Sequence, residues 1–326
     1  MEYCTLGRTG LKVSVAGLGC GGSSRLGLTA GHSEAHAVDV IRQAVDLGVN
    51  LIDTASSYGT EPVVGAALKS MPRSSVVVST KHKVAEGKVM LSAAAIVAGL
   101  DASLKTLETD YVDIFFLHTV FPAAYAHVAR EVIPVLLREK EKGKFRFLGI
   151  TEMAPRDPCH DMLQNAFADD CVDVIMFAFH MLNQNARNRV FPAALSQNIG
   201  TLIMFAVRSL FSTPGRLQQD LQALVADGKV PAALAEKSQP LDFLLHDGGA
   251  RDVVEAAYRY VRHQPGANVV LFGTGKAAHV ASNIDSILKP PLPPADTKKL
   301  HELFGHLEGV GLDLPNHKRQ PNNGHM

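Results

Sequence analysis

The chain has 326 residues, of which 46% are hydrophobic and 20% charged, as in an ordinary globular protein. Lys+Arg and Asp+Glu both number 32, so no net charge attracts nucleic acid or an anionic membrane. No stretch approaches the roughly 18 apolar residues of a membrane span, and the N-terminus lacks the features of a signal peptide. Because Cys4, Cys20, Cys159 and Cys171 are scattered, we expect free thiols and a cytoplasmic protein.

Eight short apolar runs recur along the chain, and helical periodicity fills most of the gaps between them. The runs are continuous rather than alternating, as expected for parallel strands that are covered on both faces. They are Val13–Leu18, Asn50–Ile52, Ser75–Thr80, Tyr111–Leu117, Phe145–Ile150, Val172–Ala178, Thr201–Ala206 and Asn268–Phe272. Helical stretches are Ser33–Gly48, Pro62–Ser70, Ser92–Leu107, Ala124–Lys142 and Pro158–Ala168.

Eight strand–helix units without a shift in composition predict an α/β fold with one closed (β/α)8 TIM barrel over residues 1–315. A doubly wound open sheet is the alternative, because it uses the same local units in fewer copies. The number of units favours the barrel. Three segments lie outside the repeat: a predicted N-terminal β-hairpin at residues 2–12, an insertion around 212–250 between strands 7 and 8, and a flexible tail at 316–326 after a last helix, Asp296–Leu307.

Four polar side chains stand where predicted strands end or just beyond. Asp53 ends NLID, Tyr58 follows five residues later, Lys81 ends VVVSTK and His118 ends DIFFLH. Because the active sites of such barrels lie at the C-terminal ends of the strands, we expect all four to face one rim. Taken singly, each also fits a structural role, such as a turn, a strand end or a buried histidine.

Together these four residue types form a set for proton transfer. Reduction of a carbonyl needs a proton for the developing alkoxide, and the Tyr58 hydroxyl can donate it. We expect the Lys81 ammonium to lower the pKa of that phenol, and Asp53 to hold the ammonium in place. A neutral imidazole at position 118 can orient and polarise the carbonyl oxygen.

The sequence resembles the aldo-keto reductase family from about Leu6 to Asn283. The matching pieces are LGRTGLKVSVAGLGCGG, NLIDTASSYGTEPVVGAAL, STK, DYVDIFFLH, LGIT and NVVLFGTG…ASN. The resemblance implies that Asp53, Tyr58, Lys81 and His118 are a catalytic tetrad. It also implies that a nicotinamide dinucleotide, NADP or NAD, binds in an extended pose without a Rossmann domain. The expected function is NAD(P)-dependent hydride transfer between nicotinamide and a small aldehyde, ketone or sugar-type alcohol.

Phosphate binding is expected after the eighth strand. FGTGK offers backbone N–H groups and one ammonium just before a helix, which favours an anion. The family pattern places cofactor contacts at Gly273, Thr274, Lys276, His279 and Asn283. However, His279 stands where an Arg commonly grips the 2′-phosphate, and a neutral His is a poor substitute for a guanidinium. NADP is therefore only weakly preferred over NAD.

The expected nicotinamide pocket departs from the family pattern. Thr151 and Glu152 replace a Ser-Asn pair, and Met176 stands where a Gln is common. Thr151 supplies a hydroxyl, and an ionised Glu152 can accept from the carboxamide NH2. Phe205 is a candidate to stack on the nicotinamide, and its alternative role is that of an apolar core residue. Arg208 is a candidate to contact a cofactor phosphate or an acidic substrate, and its alternative role is a surface ion pair.

The glycine run GLGCGG at residues 17–22 matches the dinucleotide fingerprint G-x-G-x-x-G but lacks its context. SSRLGLTAG follows instead of a helix, and no acidic residue ends a second strand. The run is better interpreted as the first barrel loop, where glycines let the backbone approach cofactor and substrate. No histidine or cysteine spacing predicts a metal site.

Two other functions are alternatives to the reductase. A non-catalytic nicotinamide-nucleotide-binding regulatory barrel would keep the pocket, although it would have no need to retain all four rim residues. A Schiff-base aldolase would need a lysine of lowered pKa, whereas Asp53 should raise the pKa of Lys81. We expect the loops Arg25–His32, Thr119–His127 and the 212–250 insertion to select the substrate. A homo-oligomer is an open alternative to a monomer.

Overall fold

A computed structural model describes residues 1–312, and eight parallel strands close into a barrel. With two short antiparallel hairpins, β1–β2 and β6–β7, the described residues contain twelve strands. They are β1 Tyr3–Thr5, β2 Lys12–Ser14, β3 Ala16–Gly19, β4 Leu51–Asp53, β5 Val77–Lys83, β6 Ala85–Glu86, β7 Val89–Met90, β8 Val112–Val120, β9 Phe145–Glu152, β10 Val174–Ala178, β11 Gly200–Met204 and β12 Val269–Phe272. Around the barrel their order is β3, β4, β5, β8, β9, β10, β11 and β12, and β12 pairs with β3 to close it. The predicted (β/α)8 fold is confirmed.

Helices cover the outside of the barrel. They are α1 Glu34–Asp46, α2 Glu61–Leu68, α3 Ala93–Leu107, α4 Pro122–His127, α5 Ile133–Glu141, α6 Asp161–Asp169, α7 Ala186–Arg189, α8 Phe191–Ser196, α9 Ser209–Ser212, α10 Arg216–Ala226, α11 Ala233–Glu236, α12 Val253–Arg262, α13 Ala277–Leu288 and α14 Pro294–Phe304. Several begin at a side-chain cap, for example where Ser33 accepts from the His36 N–H and Ser92 from the Ala95 N–H, which satisfies an N–H that the helix leaves unpaired. No helix within residues 1–312 is long and apolar enough to cross a bilayer.

The N-terminal hairpin closes one end of the barrel, but its second strand lies later than predicted. β1 pairs with β2, so the predicted first strand Val13–Leu18 is split between the hairpin and β3. The Ser14 hydroxyl donates to the Ala16 carbonyl at 2.7 Å, and this local bond bends the chain at Val15. Leu6, Leu11 and Val13 then pack against the barrel interior.

Two other segments differ from their predictions. The single helix expected over Ala124–Lys142 is interrupted by a π-turn at Val128–Val132 between α4 and α5, and Pro134, which lacks an N–H, lies in the first turn of α5. A short hairpin of β6 and β7 follows β5 where no strands were predicted. The 212–250 insertion contains α10, α11 and a 3-10 turn at Asp242–Leu244. The predicted tail at 316–326 lies outside the described residues.

Candidate active site

The barrel brings the four predicted polar residues to one rim. Asp53 ends β4, Lys81 lies near the end of β5, and His118 lies near the end of β8. These three strands are successive neighbours in the barrel. Tyr58 follows β4 in a turn that the Tyr58 N–H closes on the Ala55 carbonyl. The strand order therefore brings together side chains that are up to 65 residues apart in sequence.

The Lys81 ammonium is held by an ion pair inside the barrel. Its Nζ donates to Asp53 Oδ2 at 2.6 Å and to the Thr54 carbonyl at 2.8 Å, and Lys81 is 0% exposed. The Ser79 hydroxyl donates to the other Asp53 oxygen at 2.6 Å. Burial lowers the pKa of Lys81, but Asp53 and Tyr58 outweigh this, and the pKa is raised. The ammonium is thus fixed and charged at neutral pH.

The Tyr58 hydroxyl is within hydrogen-bond reach of that ammonium, and Lys81 Nζ lies 4.9 Å from the centre of the Tyr58 ring. The His118 ring stands edge-on to the Tyr58 ring, with centroids 5.7 Å apart. Burial raises the pKa of Tyr58, and this outweighs the lowering by Lys81. Lys81 thus lowers the pKa of Tyr58, as expected, but burial disfavours the phenolate more strongly, so the pKa lies above its ordinary value.

Tyr58 and His118 line a cleft of about 670 Å³, which we call the inner cavity. Three non-glycine residues on its wall have left-handed backbones: Arg25, Thr119 and Phe205, with φ of 43°, 56° and 70°. Such backbone conformations are costly and need support from their surroundings. The remaining lining residues are Gly22, Thr151, Glu152, Met153, Ala154, Pro155, Met176, Met204 and Arg208.

A second, larger cleft of about 1310 Å³, the outer groove, runs from Tyr58 between the ends of β11, β12 and β3. Gly19, Gly22 and Gly273 line it, and Gly22 has φ +72° with open space where a Cβ would lie. A Cβ on Gly21 would lie 2.5 Å from the Tyr58 ring. This glycine-lined groove beside Tyr58 has room for a dinucleotide. Its hydroxyl-bearing lining residues besides Tyr58 are Ser23, Ser24, Ser209, Ser212 and Thr213.

The residues predicted after the eighth strand lie beside this groove or on the helix that follows it. Gly273 lines the groove directly. The Thr274 hydroxyl accepts from the Lys276 N–H at 3.1 Å, which shapes the turn before α13. Lys276 and His279 are exposed at the start of α13, and Asn283 is partly buried one turn further along.

The predicted nicotinamide residues divide into two groups. Phe205 and Arg208 line both clefts, with the Arg208 guanidinium 4.0 Å above the Phe205 ring. Thr151 lies at the cavity wall, where its hydroxyl accepts from the Thr119 N–H at 2.8 Å. Met176 pairs with Thr151 in the strand register and lines both clefts.

Glu152 lines the inner cavity, and both of its carboxylate oxygens have protein partners. Its Oε1 accepts from the Ala178 N–H at 2.9 Å, and its Oε2 from His160 Nδ1 at 2.6 Å. The expected contact between this carboxylate and the nicotinamide amide stays a prediction.

Sequence reasoning missed several residues around the clefts. The sequence placed Arg25 only within a loop and Ser212 only at the start of the 212–250 insertion, and it did not single out Ser209, which lies in α9 five residues after β11 ends. His160 carried no local signal. Within residues 1–312 no group of three His, Cys, Asp or Glu side chains is placed to hold a metal ion.

The closed (β/α)8 barrel carries a buried Asp–Lys–Tyr chain at its rim, beside two clefts that Tyr58 lines. This is the architecture of a barrel enzyme with its site at the C-terminal ends of the strands. The chain belongs to the aldo/keto reductase family, whose model matches residues 18–304. The family and the fold place it among the NAD(P)-dependent oxidoreductases, which act on small carbonyl compounds.

Known relatives cover nearly the whole chain. The chain is 29% identical over 319 residues to L-galactose dehydrogenase of Arabidopsis thaliana, covering 95% of both proteins. It is 27% identical over 297 residues to the aldo-keto reductase YhdN of Bacillus subtilis, covering 85% of this chain and 86% of the relative. Among solved structures, an aldo-keto reductase from Bacillus halodurans in its holo form matches with a TM-score of 0.70 at 22% identity, over 93% of this chain and 96% of the other.

Proposed function

We propose that the chain transfers a hydride between nicotinamide and a small aldehyde or ketone, or the corresponding sugar-type alcohol, with Tyr58 as the general acid and base. The observation that carries this proposal is the chain of contacts from Asp53 through Lys81 to the hydroxyl of Tyr58, which lines the inner cavity. A reduced nicotinamide bound in the outer groove would supply the hydride.

In this proposal, residues of the chain supply the proton and stabilise the phenolate that remains. As the carbonyl carbon gains the hydride, its oxygen becomes an alkoxide and takes the proton of Tyr58, which gives the alcohol. The Lys81 ammonium stabilises the phenolate left behind, and Asp53 keeps that ammonium charged and in place. His118, on the neighbouring strand, orients and polarises the carbonyl oxygen.

The cofactor contacts follow the two clefts. We assign the ring to Phe205 and Thr151, and the phosphates to Arg208 with the turn from Gly273 to Lys276 and its flanking His279 and Asn283. The Lys276 ammonium favours NADP, whereas the absence of a guanidinium at His279 removes the stronger grip on a 2′-phosphate. A relative that is 31% identical over 179 residues, covering 50% of this chain and 53% of the relative, is named an NADH-specific methylglyoxal reductase of Escherichia coli. Titration with NADPH and NADH decides between the two.

The raised pKa of Lys81 argues against a Schiff-base aldolase, because such an enzyme needs the neutral amine at working pH. Borohydride should trap no substrate on Lys81.

Tyr58→Phe tests the proposal. The variant keeps the ring beside His118 but has no proton to give, so turnover of an aldehyde panel should fall by about 10²–10⁴-fold. NAD(P)H should bind with unchanged affinity, as measured by nucleotide fluorescence. Near-normal turnover of this variant would show that another group supplies the proton.

A further inference from the structure

A second buried ion pair lies behind the wall of the inner cavity, and the proposed reaction does not use it. Glu152 ends β9, and His160 precedes α6 with a left-handed backbone at φ 59°. His160 Nδ1 lies 2.6 Å from Glu152 Oε2, and both side chains are 0% exposed. Burying two charges is costly unless their geometry is good and their other polar atoms are satisfied.

The hydrogen bonds define the protonation of His160. Its Nε2 lies 2.9 Å from Asn185 Oδ1, and the amide is oriented because Asn185 Nδ2 donates to the Pro158 carbonyl. Both ring nitrogens therefore face acceptors, so both must carry protons, and His160 is an imidazolium. Burial lowers the pKa of His160, but Glu152, Asn185 and Asp157 outweigh this and raise it.

The carboxylate also fixes the end of the neighbouring strand. The backbone pairing between β9 and β10 ends at Thr151 and Met176. Two residues further along β10, the Ala178 N–H donates to Glu152 Oε1, so the side chain replaces a backbone partner.

The pair is oriented with respect to the cavity. Glu152 is among the lining residues of the inner cavity, and its carboxylate bonds Ala178, which packs with the lining residues Met204 and Phe205. His160 instead contacts Phe177 and Asn185, which do not line the cavity. The carboxylate therefore lies on the cavity side of the pair, and the imidazolium lies behind it toward α6.

We propose that the Glu152–His160 pair favours the oxidised, cationic nicotinamide over the reduced, neutral one. This inference rests on the proposed function, which places the nicotinamide at this wall. A nearby carboxylate stabilises a cationic ring, and the more distant imidazolium cancels only part of that effect.

Glu152→Gln removes the charges with little change of shape. The new amide oxygen can accept from Ala178, and the new NH2 can donate to Nδ1 of a neutral His160 that still donates to Asn185. Isothermal titration calorimetry with NAD⁺ and NADH, and with NADP⁺ and NADPH, measures both dissociation constants without turnover. We expect the ratio of the oxidised to the reduced constant to rise about three- to tenfold.

Glu255→Gln is the matched control. Glu255 forms a buried ion pair with Arg259 at 3.0 Å on α12 and lines neither cleft, so its variant should keep the wild-type ratio within about twofold. If Glu152→Gln folds poorly, the double variant Glu152→Gln/His160→Gln retains every hydrogen bond with neutral groups and must show the same rise.

A folded variant with an unchanged ratio overturns the inference and leaves the pair a structural tie between strands. If the wild-type protein binds neither form of either nucleotide, the proposed function itself fails.

Discussion

The two sides of the barrel rim each carry a fully buried ion pair, and the pairs are built in opposite senses. On the side of β4 and β5, the Lys81 ammonium points from Asp53 toward the Tyr58 hydroxyl, so the cation is nearest the reacting groups. On the side of β9 and β10, the Glu152 carboxylate is nearest the cavity and the His160 imidazolium lies behind it.

The proposed reaction accounts for this contrast by the charge that develops on each side. In that reaction the first side faces a phenol that becomes an anion when it gives up its proton, and a cation stabilises it. The second side would face a nicotinamide that becomes cationic when it gives up its hydride, and a carboxylate stabilises it. One transfer of a hydride and a proton would then account for both polarities.

The largest expected effect comes from breaking the first pair. Lys81→Met leaves the Asp53 carboxylate buried without its cation, which should lower the free energy of unfolding by about 3–5 kcal/mol. It also removes the charge that stabilises the phenolate, so turnover should fall about 10²–10⁴-fold. Urea unfolding and steady-state kinetics measure the two losses.

The double variant Lys81→Met/Asp53→Leu separates these two effects. It replaces the pair with apolar side chains, which should restore much of the stability but none of the activity. Recovery of turnover together with stability would show that the pair only supports the fold.

The pH dependence of turnover tests the role of Tyr58 without a mutation. Because burial holds the pKa of Tyr58 above its ordinary value, the phenol keeps its proton through neutral pH. Reduction, which needs the acid, should be nearly constant between about pH 6 and 9, whereas oxidation, which needs the phenolate, should rise up to about tenfold per pH unit. Oxidation that is independent of pH over this range would contradict the assignment of Tyr58 as the base.

The sequence predicted the first side of the rim far better than the second. Asp53, Lys81 and His118 each follow an apolar run directly, and a closed parallel barrel brings all such positions to one rim. No long-range packing is needed for that inference. The eight strands were predicted for the same reason, since each is a local run of apolar residues.

The second side depends on contacts that no local pattern encodes. Glu152 meets His160 only because the chain reverses between them and His160 takes a left-handed backbone. The left-handed conformations of Arg25 and Phe205 likewise depend on tertiary packing. The sequence predicted that Lys81 lowers the pKa of Tyr58, but not that burial raises it more, because the depth of burial depends on tertiary packing.

The pH dependence of the free energy of unfolding tests whether His160 in the Glu152–His160 pair is charged. The pKa of His160 is raised in the folded protein, so its contribution is fully present below the ordinary value of about 6.5 and is lost as the pH rises through the folded pKa. Between pH 6 and 9 the wild-type protein should therefore lose more free energy of unfolding than His160→Gln, by about 1.4 kcal/mol for each unit by which the pKa is raised. Parallel urea-unfolding profiles for the two proteins would contradict a charged His160.

The smallest expected effect concerns the far end of the outer groove. His279 is exposed on the first turn of α13, and His279→Arg would supply a guanidinium that can grip a 2′-phosphate through two hydrogen bonds. The dissociation constant of NADPH should fall about three- to tenfold, while that of NADH, which has no such phosphate, should stay unchanged. His279→Gln controls for loss of the imidazole. Equal tightening of both nucleotides would place His279 near the pyrophosphate rather than the ribose, and would move the proposed path of the dinucleotide along the groove.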